Sequence, residues 1–269
     1  MVELAKLLGT FETLWPSAGA EDWDAPGLVT GNPSQSVSRV MLSVDVTADV
    51  VGCATEARCD LLLAHHPYLM RGVTTLAETS FKGAVVAGAI RSGLSIFAAH
   101  TNADIVEDGV SDSLAKALGL TSIRPLVGEG KIGHGRLGQL ADPMTLGEFA
   151  TRVARTMPHT ASGIRVAGDY GQIIETVALC GGAGDSFIST AFDSGADVYL
   201  TSDLRHHVAQ DAREQRIVGR EMALIDVSHW AAEFVWLETA AAQLRNIYPE
   251  LVFEVCDLRT DPWDFVITQ

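Results

Sequence analysis

Leu61-Leu62-Leu63-Ala64-His65-His66-Pro67 is an apolar run that ends abruptly in two histidines and a proline. Leu61 to Ala64 is too short for a helix and apolar throughout, the pattern of a strand buried on both faces of a covered sheet. Pro67 cannot donate to a sheet ladder and biases His66 towards extended backbone, so the strand is expected to stop there. Both imidazoles then emerge at a strand's carboxyl end, where open α/β sheets place their ligands. Adjacent residues on extended backbone point to opposite sides, so the pair is expected to serve two neighbouring metal ions rather than chelate one. A surface turn that merely carries histidines fits the same seven residues, and the stretch alone does not choose.

Working outward, strand-like segments alternate with helical ones. Leu4, Leu7, Leu8, Phe11 and Leu14 recur at helical spacing over Val2 to Leu14, before Pro16. Trp23 to Leu28 reads as a loop whose tryptophan is taken as a packing anchor rather than a base-stacking platform. Val37 to Val46 is strand-like, Ala48 to Arg58 and Phe81 to Ser92 are helical, and Leu94 to Ala99 is a second apolar strand ending in His100. His100 to Asp104 reads as a polar loop and Ser111 to Leu118 as a helix closed by Gly119. The glycine-dense stretch Gly128 to Gly135 suits a crossing between domains. Beyond it, Thr145 and Glu148 have capping-box spacing for a helix to Thr156. Strands are expected at Ile164–Gly168, Thr176–Cys180, Ala196–Thr201, Glu221–Asp226 and Leu251–Cys256. Gly181 to Ser186 reads as a tight turn into a helix; a phosphate cradle is the alternative. Ser228 is placed to N-cap a long helix from His229 to about Asn246. The alternation indicates an α/β fold with two related domains and mainly parallel or mixed sheets. Their expected extents are residues 1–126 plus 228–269, carrying the site, and 127–227.

The 269 residues carry a formal net charge of −15, with 47% hydrophobic and 20% charged residues. That is a packed protein, and its charge argues against nucleic acid or an anionic membrane as a general partner. A small anionic molecule held at a cation remains compatible. Met1 to Lys6 lacks the order of a signal peptide, and no apolar run approaches the ~20 residues that span a bilayer. Cys53, Cys59, Cys180 and Cys256 are scattered and read as free thiols of a cytoplasmic protein.

Three segment ends offer metal ligands: His65 with His66, His100 with Asp104, and His229 with Glu233. His229 and Glu233 are four apart on a helix, so they share a face, and they lie in its first turn, where the dipole favours a carboxylate and a neutral imidazole. Three imidazoles and two carboxylates, before His100 is added, exceed what one open tetrahedral ion takes and suit two ions with a bridging carboxylate. Nitrogen and oxygen ligands without thiolate suit zinc, iron, manganese, nickel or cobalt alike. His206 and His207 lie after another strand end, as proton donors or as a solvated helix start.

The ordered set His65-His66-Pro67, His100-Thr101-Asn102-Ala103-Asp104, Thr201-Ser202-Asp203 with His206-His207, and Ser228-His229-Trp230-Ala231-Ala232-Glu233 resembles the Nif-three-like family, also labelled GTP cyclohydrolase 1 type 2 homologues or dinuclear metal centre hexameric proteins. Trp23-Asp24 with Gly27-Leu28, and Cys180 to Gly184, match it too, so the resemblance covers essentially the whole chain. It implies two metal ions per chain on His65, His66, Asp104, His229 and Glu233, two related α/β domains, and a ring-shaped homohexamer. The sequence departs from the family pattern at Ala103, where Leu is more typical, and at Ser202 and Ser228, where Gly is common; none of these is a proposed ligand. The length leaves no room for the extra central domain of some members. Hydrolysis of a nucleotide or other phosphorylated small molecule is the expected activity, with His100 or His207 shuttling protons. A non-catalytic metal-binding or regulatory assembly is the alternative.

Overall fold

The computed structural model describes residues 1–268. The chain divides into two compact units, Met1–Ala103 with Leu237–Thr260, and Asp104–Trp236 with Asp261–Gln269. The first division therefore falls at Ala103, and the second inside the long helix His229–Ile247. The boundaries read from the sequence, at 126 and 228, both lie within the second unit. Residues 121–129 belong there because they pair with Ile132–Thr145 in its sheet.

The first unit is built on a five-stranded sheet in the order Val252–Val255, Arg39–Ser43, Leu61–Ala64, Ser95–Ala98, Gly27–Thr30. The first four strands are mutually parallel, and Gly27–Thr30 pairs antiparallel at the edge. Leu61–Ala64 sits in the middle and is buried along its whole length, as a run without polar alternation requires. Met41, Leu62 and Ile96 share one core cluster with Val50 and Ala54 of helix Ala48–Glu56 and Val86 and Ala89 of helix Phe81–Ser92. On the other side Phe11, of helix Leu4–Leu14, places its ring 4.8 Å from that of Phe97. Helices Ala48–Glu56 and Phe81–Ser92 start at Thr47 and Ser80, whose hydroxyls accept from the amides of Val50 and Gly83.

The second unit carries a six-stranded mixed sheet, in the order Thr121–Glu129, Ile132–Thr145, Ile173–Ala183, Val198–Ser202, Ala223–Val227, Arg165–Ala167. Its three central strands are parallel and the flanking pairings antiparallel. The capping box expected at Thr145 and Glu148 is present at the start of helix Leu146–Thr156.

The glycine-dense stretch is not a crossing between domains. Gly128 to Gly135 forms the hairpin between Thr121–Glu129 and Ile132–Thr145 and its bends. A Cβ on Gly133 would lie 2.0 Å from the Val127 carbonyl oxygen, and one on Gly135 2.7 Å from that of Leu179, so chains approach too closely for a side chain. The carbonyls of Gly133 and Gly135 accept from Arg136, which is 1% exposed. The same guanidinium donates to Asp112 at 2.9 Å and to the carbonyls of Ile105 and Val106. All five of its N–H groups are engaged, which is what permits a buried arginine. It ties the segment after Asp104 to the hairpin.

Burial pushes the Asp112 carboxyl up, but hydrogen bonds from Lys116, the Asp108 amide and Arg136, with the Arg136 charge, outweigh it and hold the pKa below the usual carboxylate value. A depressed folded-state pKa contributes stability above the unfolded value of about 3.9, lost as pH falls through the folded value. Asp112→Ala is expected to cost about 3 kcal/mol by stranding the buried Arg136 charge. Thermal melting at neutral pH checks that loss, and the difference from the wild type should shrink below about pH 4.

Candidate metal centre

In the first unit the register of the parallel strands brings the imidazoles together. Ala64 lies opposite Ala98 in the sheet, so the residues just beyond, His65 and His66, come level with Ala99 and His100. The rings of His65 and His66 are 5.0 Å apart, those of His65 and His100 5.2 Å, and those of His66 and His100 5.4 Å. Each can offer one ring nitrogen within 4.8 Å of the other two. The expectation that His65 and His66 point to opposite sides fails, because the backbone bends at both residues after the strand ends at Ala64.

The other nitrogen of each ring is already committed. Nδ1 of His65 lies 2.8 Å from the carbonyl oxygen of Ala99, Nδ1 of His66 2.7 Å from Asp45 Oδ1, and Nδ1 of His100 2.7 Å from Asp24 Oδ1. Carbonyl and carboxylate oxygens only accept, so Nδ1 carries the proton in all three. In the neutral ring Nε2 is then the lone-pair nitrogen. This is how metal-binding histidines are normally oriented.

His100 to Asp104 is a helical turn over Thr101–Asp104 rather than a loop. Asn102 accepts from the His100 amide and donates to the Trp15 carbonyl, and Thr101 donates through its amide and hydroxyl to Asp24. These bonds satisfy the polar groups of a mostly buried turn. Asp24 is held well below the usual carboxylate range: burial opposes its charge, but His100, Thr101 and the Ala25 amide together outweigh that cost.

The second unit supplies the other predicted ligands. His229 and Glu233 open the helix His229–Ile247, capped by the Ser228 hydroxyl, which accepts from the Ala231 amide. His229 Nε2 is 2.8 Å from Glu233 Oε1, and Nδ1 is 2.7 Å from Asp203 Oδ2. Asp203 adopts a left-handed conformation (φ 58°) directly after strand Val198–Ser202, an arrangement that aspartate tolerates. Burial disfavours the His229 imidazolium, but the Glu233 charge and the hydrogen bonds with Asp203 and Glu233 raise its pKa to about 11. The Asp203 and Glu233 carboxylates therefore flank the two nitrogens of the half-buried His229 ring. Asp104, the other predicted carboxylate, ends the helical turn Thr101–Asp104; burial first, and then its charge and that of Glu233, push the Cys180 thiol up to about 12.

Gly181 and Gly182 do not form the expected turn; they continue the strand Ile173–Ala183. Gly182 has φ +74°, and a Cβ there would lie 2.6 Å from Glu233 Oε1 and 3.3 Å from His229 Nε2. The glycine makes room for the imidazole–carboxylate pair. Asp185, at the start of the following short helix, pairs with Arg205, which removes the case for a phosphate cradle. His206 and His207 occupy the exposed first turn of helix His206–Glu214, their rings 5.2 Å apart. All four cysteines are free thiols. Among the described residues no helix is long and apolar enough to cross a membrane.

Sequence reading missed Asp24, Asp45, Asp203 and Gly182 as supports. Only the chain's return from distant segments places them, although Asp24 and Asp203 stand inside the quoted motifs. An α/β protein with histidines at parallel-strand ends, ring-locked by carboxylates and carbonyls, belongs to the class of candidate metal-binding proteins built on covered sheets. The family model for Duf34/NIF3 (NGG1p interacting factor 3) matches residues 2–262, and the chain belongs to that family. It is 44% identical to a "GTP cyclohydrolase 1 type 2 homolog" of Streptomyces coelicolor, over 98% of this chain and 94% of that protein. A protein of the same name from Mycobacterium leprae is 31% identical over 97% of this chain and 95% of the relative. That alignment spans 371 positions, so the relative carries sequence that this chain lacks. Among solved structures, a Bacillus cereus protein related to NIF3 shares the fold with a TM-score of 0.89 at 23% identity, covering 98% of this chain and 99% of that one. A Staphylococcus aureus hypothetical protein follows with 0.88 at 27%, with the same coverage.

Removing a group that orients a metal-binding imidazole typically costs 10–100-fold in metal affinity. Asp203→Ala is expected to weaken divalent metal binding by about that factor while the circular dichroism spectrum stays unchanged. Competition with a chromogenic chelator measures it, and unaltered affinity would remove Asp203 from the centre.

Proposed function

We propose that this protein is a dinuclear-metal-dependent hydrolase acting on a nucleotide or another phosphorylated small molecule. His65, His66, Asp104, His229 and Glu233 would hold two divalent ions per chain. The observation that carries the reading is the convergence of one ring nitrogen each from His65, His66 and His100 within 4.8 Å of one another, with Nδ1 of each ring held by an oxygen. The glycine at 182, where a Cβ would collide with Glu233, supports it independently. The donor set is nitrogen and oxygen, compatible with zinc, iron, manganese, nickel or cobalt.

Paired divalent ions supply a lowered pKa for bound water and neutralise charge developing on a phosphoryl oxygen. The chain's own groups would do the rest. His100, whose Nδ1–H is held by the buried Asp24 carboxylate, can exchange a proton at Nε2 without turning its ring. His207 is the second candidate proton donor, from its exposed helix start. With a net charge of −15, bound cations would supply the local attraction for an anionic substrate. The name carried by the relatives is consistent with a nucleotide substrate, and the family resemblance implies a homohexamer.

Elemental analysis of protein purified without added metal is expected to give about two ions per chain, the complement of a two-metal site. Hydrolysis of a nucleotide panel should vanish in Glu233→Ala and His65→Ala with the circular dichroism spectrum retained. Two ions without turnover of any ester or nucleotide would replace this reading with a metal-binding or regulatory assembly. Absence of metal would overturn the ligand assignment itself.

A further inference from the structure

Trp23 is not the packing anchor that its sequence context suggests. Trp15, Trp230 and Trp236 are 2%, 6% and 0% exposed, whereas Trp23 is 60% exposed. Its indole nevertheless has a fixed address. The ring stands edge-on to His100, with centroids 5.9 Å apart and planes at 77°. The backbone around it is clamped on both sides by one residue. The Glu21 amide donates to the Thr101 hydroxyl at 3.0 Å, and the Thr101 amide donates to Asp24 Oδ2 at 3.1 Å. Asp24 Oδ1 also accepts from the Ala25 amide and from His100, and the Asp24 amide donates to the Glu21 carbonyl.

A large apolar ring left in water by a loop free to move would be unremarkable. Here the loop is immobilised by a buried carboxylate whose other partner is a candidate catalytic imidazole, so the indole is presented rather than stranded. An exposed, rigid indole is a stacking surface for a planar ring, tolerant of which ring it meets because every nucleobase has a π-face.

We infer that Trp23 is the stacking platform for the heteroaromatic ring of the substrate, making the preferred ligand a purine or pyrimidine nucleotide rather than a ring-free phosphate ester. The inference rests on the hydrolase reading for its site and adds the chemical class of the substrate. Trp23 sets specificity by binding the ring; it takes no part in bond breaking.

The test compares guanosine monophosphate with ribose 5-phosphate, which keeps the sugar and phosphate and lacks the base. Calorimetry on metal-loaded protein is expected to show tighter binding of the nucleotide. In Trp23→Ala that preference should shrink about tenfold, the scale of stacking one base on an aromatic side chain, whereas Trp23→Phe should retain most of it. A turnover assay adds a second readout: the kcat/KM ratio of nucleotide to ring-free ester should fall through KM in Trp23→Ala. Equal affinity of the wild type for both ligands, no binding of either, or a preference that survives in Trp23→Ala, would each overturn the inference. Metal-dependent hydrolysis of the ring-free ester alongside any of those results leaves the hydrolase reading standing. A Trp23-dependent nucleotide preference without hydrolysis would sustain the platform and sink the hydrolase.

Discussion

The carbonyl of Ala99 accepts the Nδ1–H of His65, while the Ala99 amide donates to Ala64 across the same strand pair. This closure at the ends of two parallel strands is the constraint that the first unit's chemistry depends on. Parallel register sets which residues arrive together beyond the last ladder bond, and the ring bond then fixes which nitrogen faces outward. His65 is fully buried, so an Nδ1 without an acceptor would carry the desolvation cost of a buried polar group. The strand end thus satisfies its own polar groups and orients the His65 imidazole in the same bond.

The same economy recurs at other polar groups around these strand ends. Asp45 follows the strand Arg39–Ser43, takes the ring of His66 on one oxygen and the Thr260 hydroxyl on the other. Asp24 binds His100 with one oxygen and Thr101 with the other, which couples the N-terminal loop to the segment after Ser95–Ala98. In the second unit Arg136 does the corresponding work with a cation. It gathers the Ile105 and Val106 carbonyls, the hairpin glycines and Asp112 around one guanidinium, so the chain leaving Asp104 cannot drift. Breaking the pairings of Asp24 or of Arg136 leaves a charge in a low-dielectric interior, and this is why such networks specify geometry as well as stability.

Much of this was legible in the chain. Four apolar residues without alternation gave a central buried strand, Thr145 and Glu148 gave a capping box, and residue type with helical spacing gave the His229–Glu233 pair. Local rules sufficed because each of these features is local. The glycines at 128–135 misled because flexibility and close approach use the same residue, and only the carbonyls of Val127 and Leu179 decide between them. The turn after His100 looked like a loop because Thr101 and Asn102 are polar; their partners, Asp24 and the Trp15 carbonyl, lie some eighty residues earlier in the chain. Asp203 and Gly182 escaped for the same reason, since their meaning is a contact with His229 and Glu233 that no spacing encodes.

Two of the departures from the family pattern, Ser202 and Ser228, lie beside Asp203 and His229. Ser228, where glycine is common, accepts the Ala231 amide and donates its hydroxyl to the buried Asp261 at 2.5 Å. It therefore caps the helix that carries His229 and Glu233, and it gives Asp261 a neutral donor beside the positive end of that helix. A glycine there could cap through its backbone freedom alone, but it would offer Asp261 no hydroxyl. Serine at 228 thus exchanges backbone freedom for a bond that ties the C-terminal segment to the start of the helix that carries His229 and Glu233. Ser202, another departure, is fully buried and precedes Asp203, the residue whose left-handed turn delivers a carboxylate to His229. Both serines stand one residue from a group that positions or forms the His229–Glu233 pair.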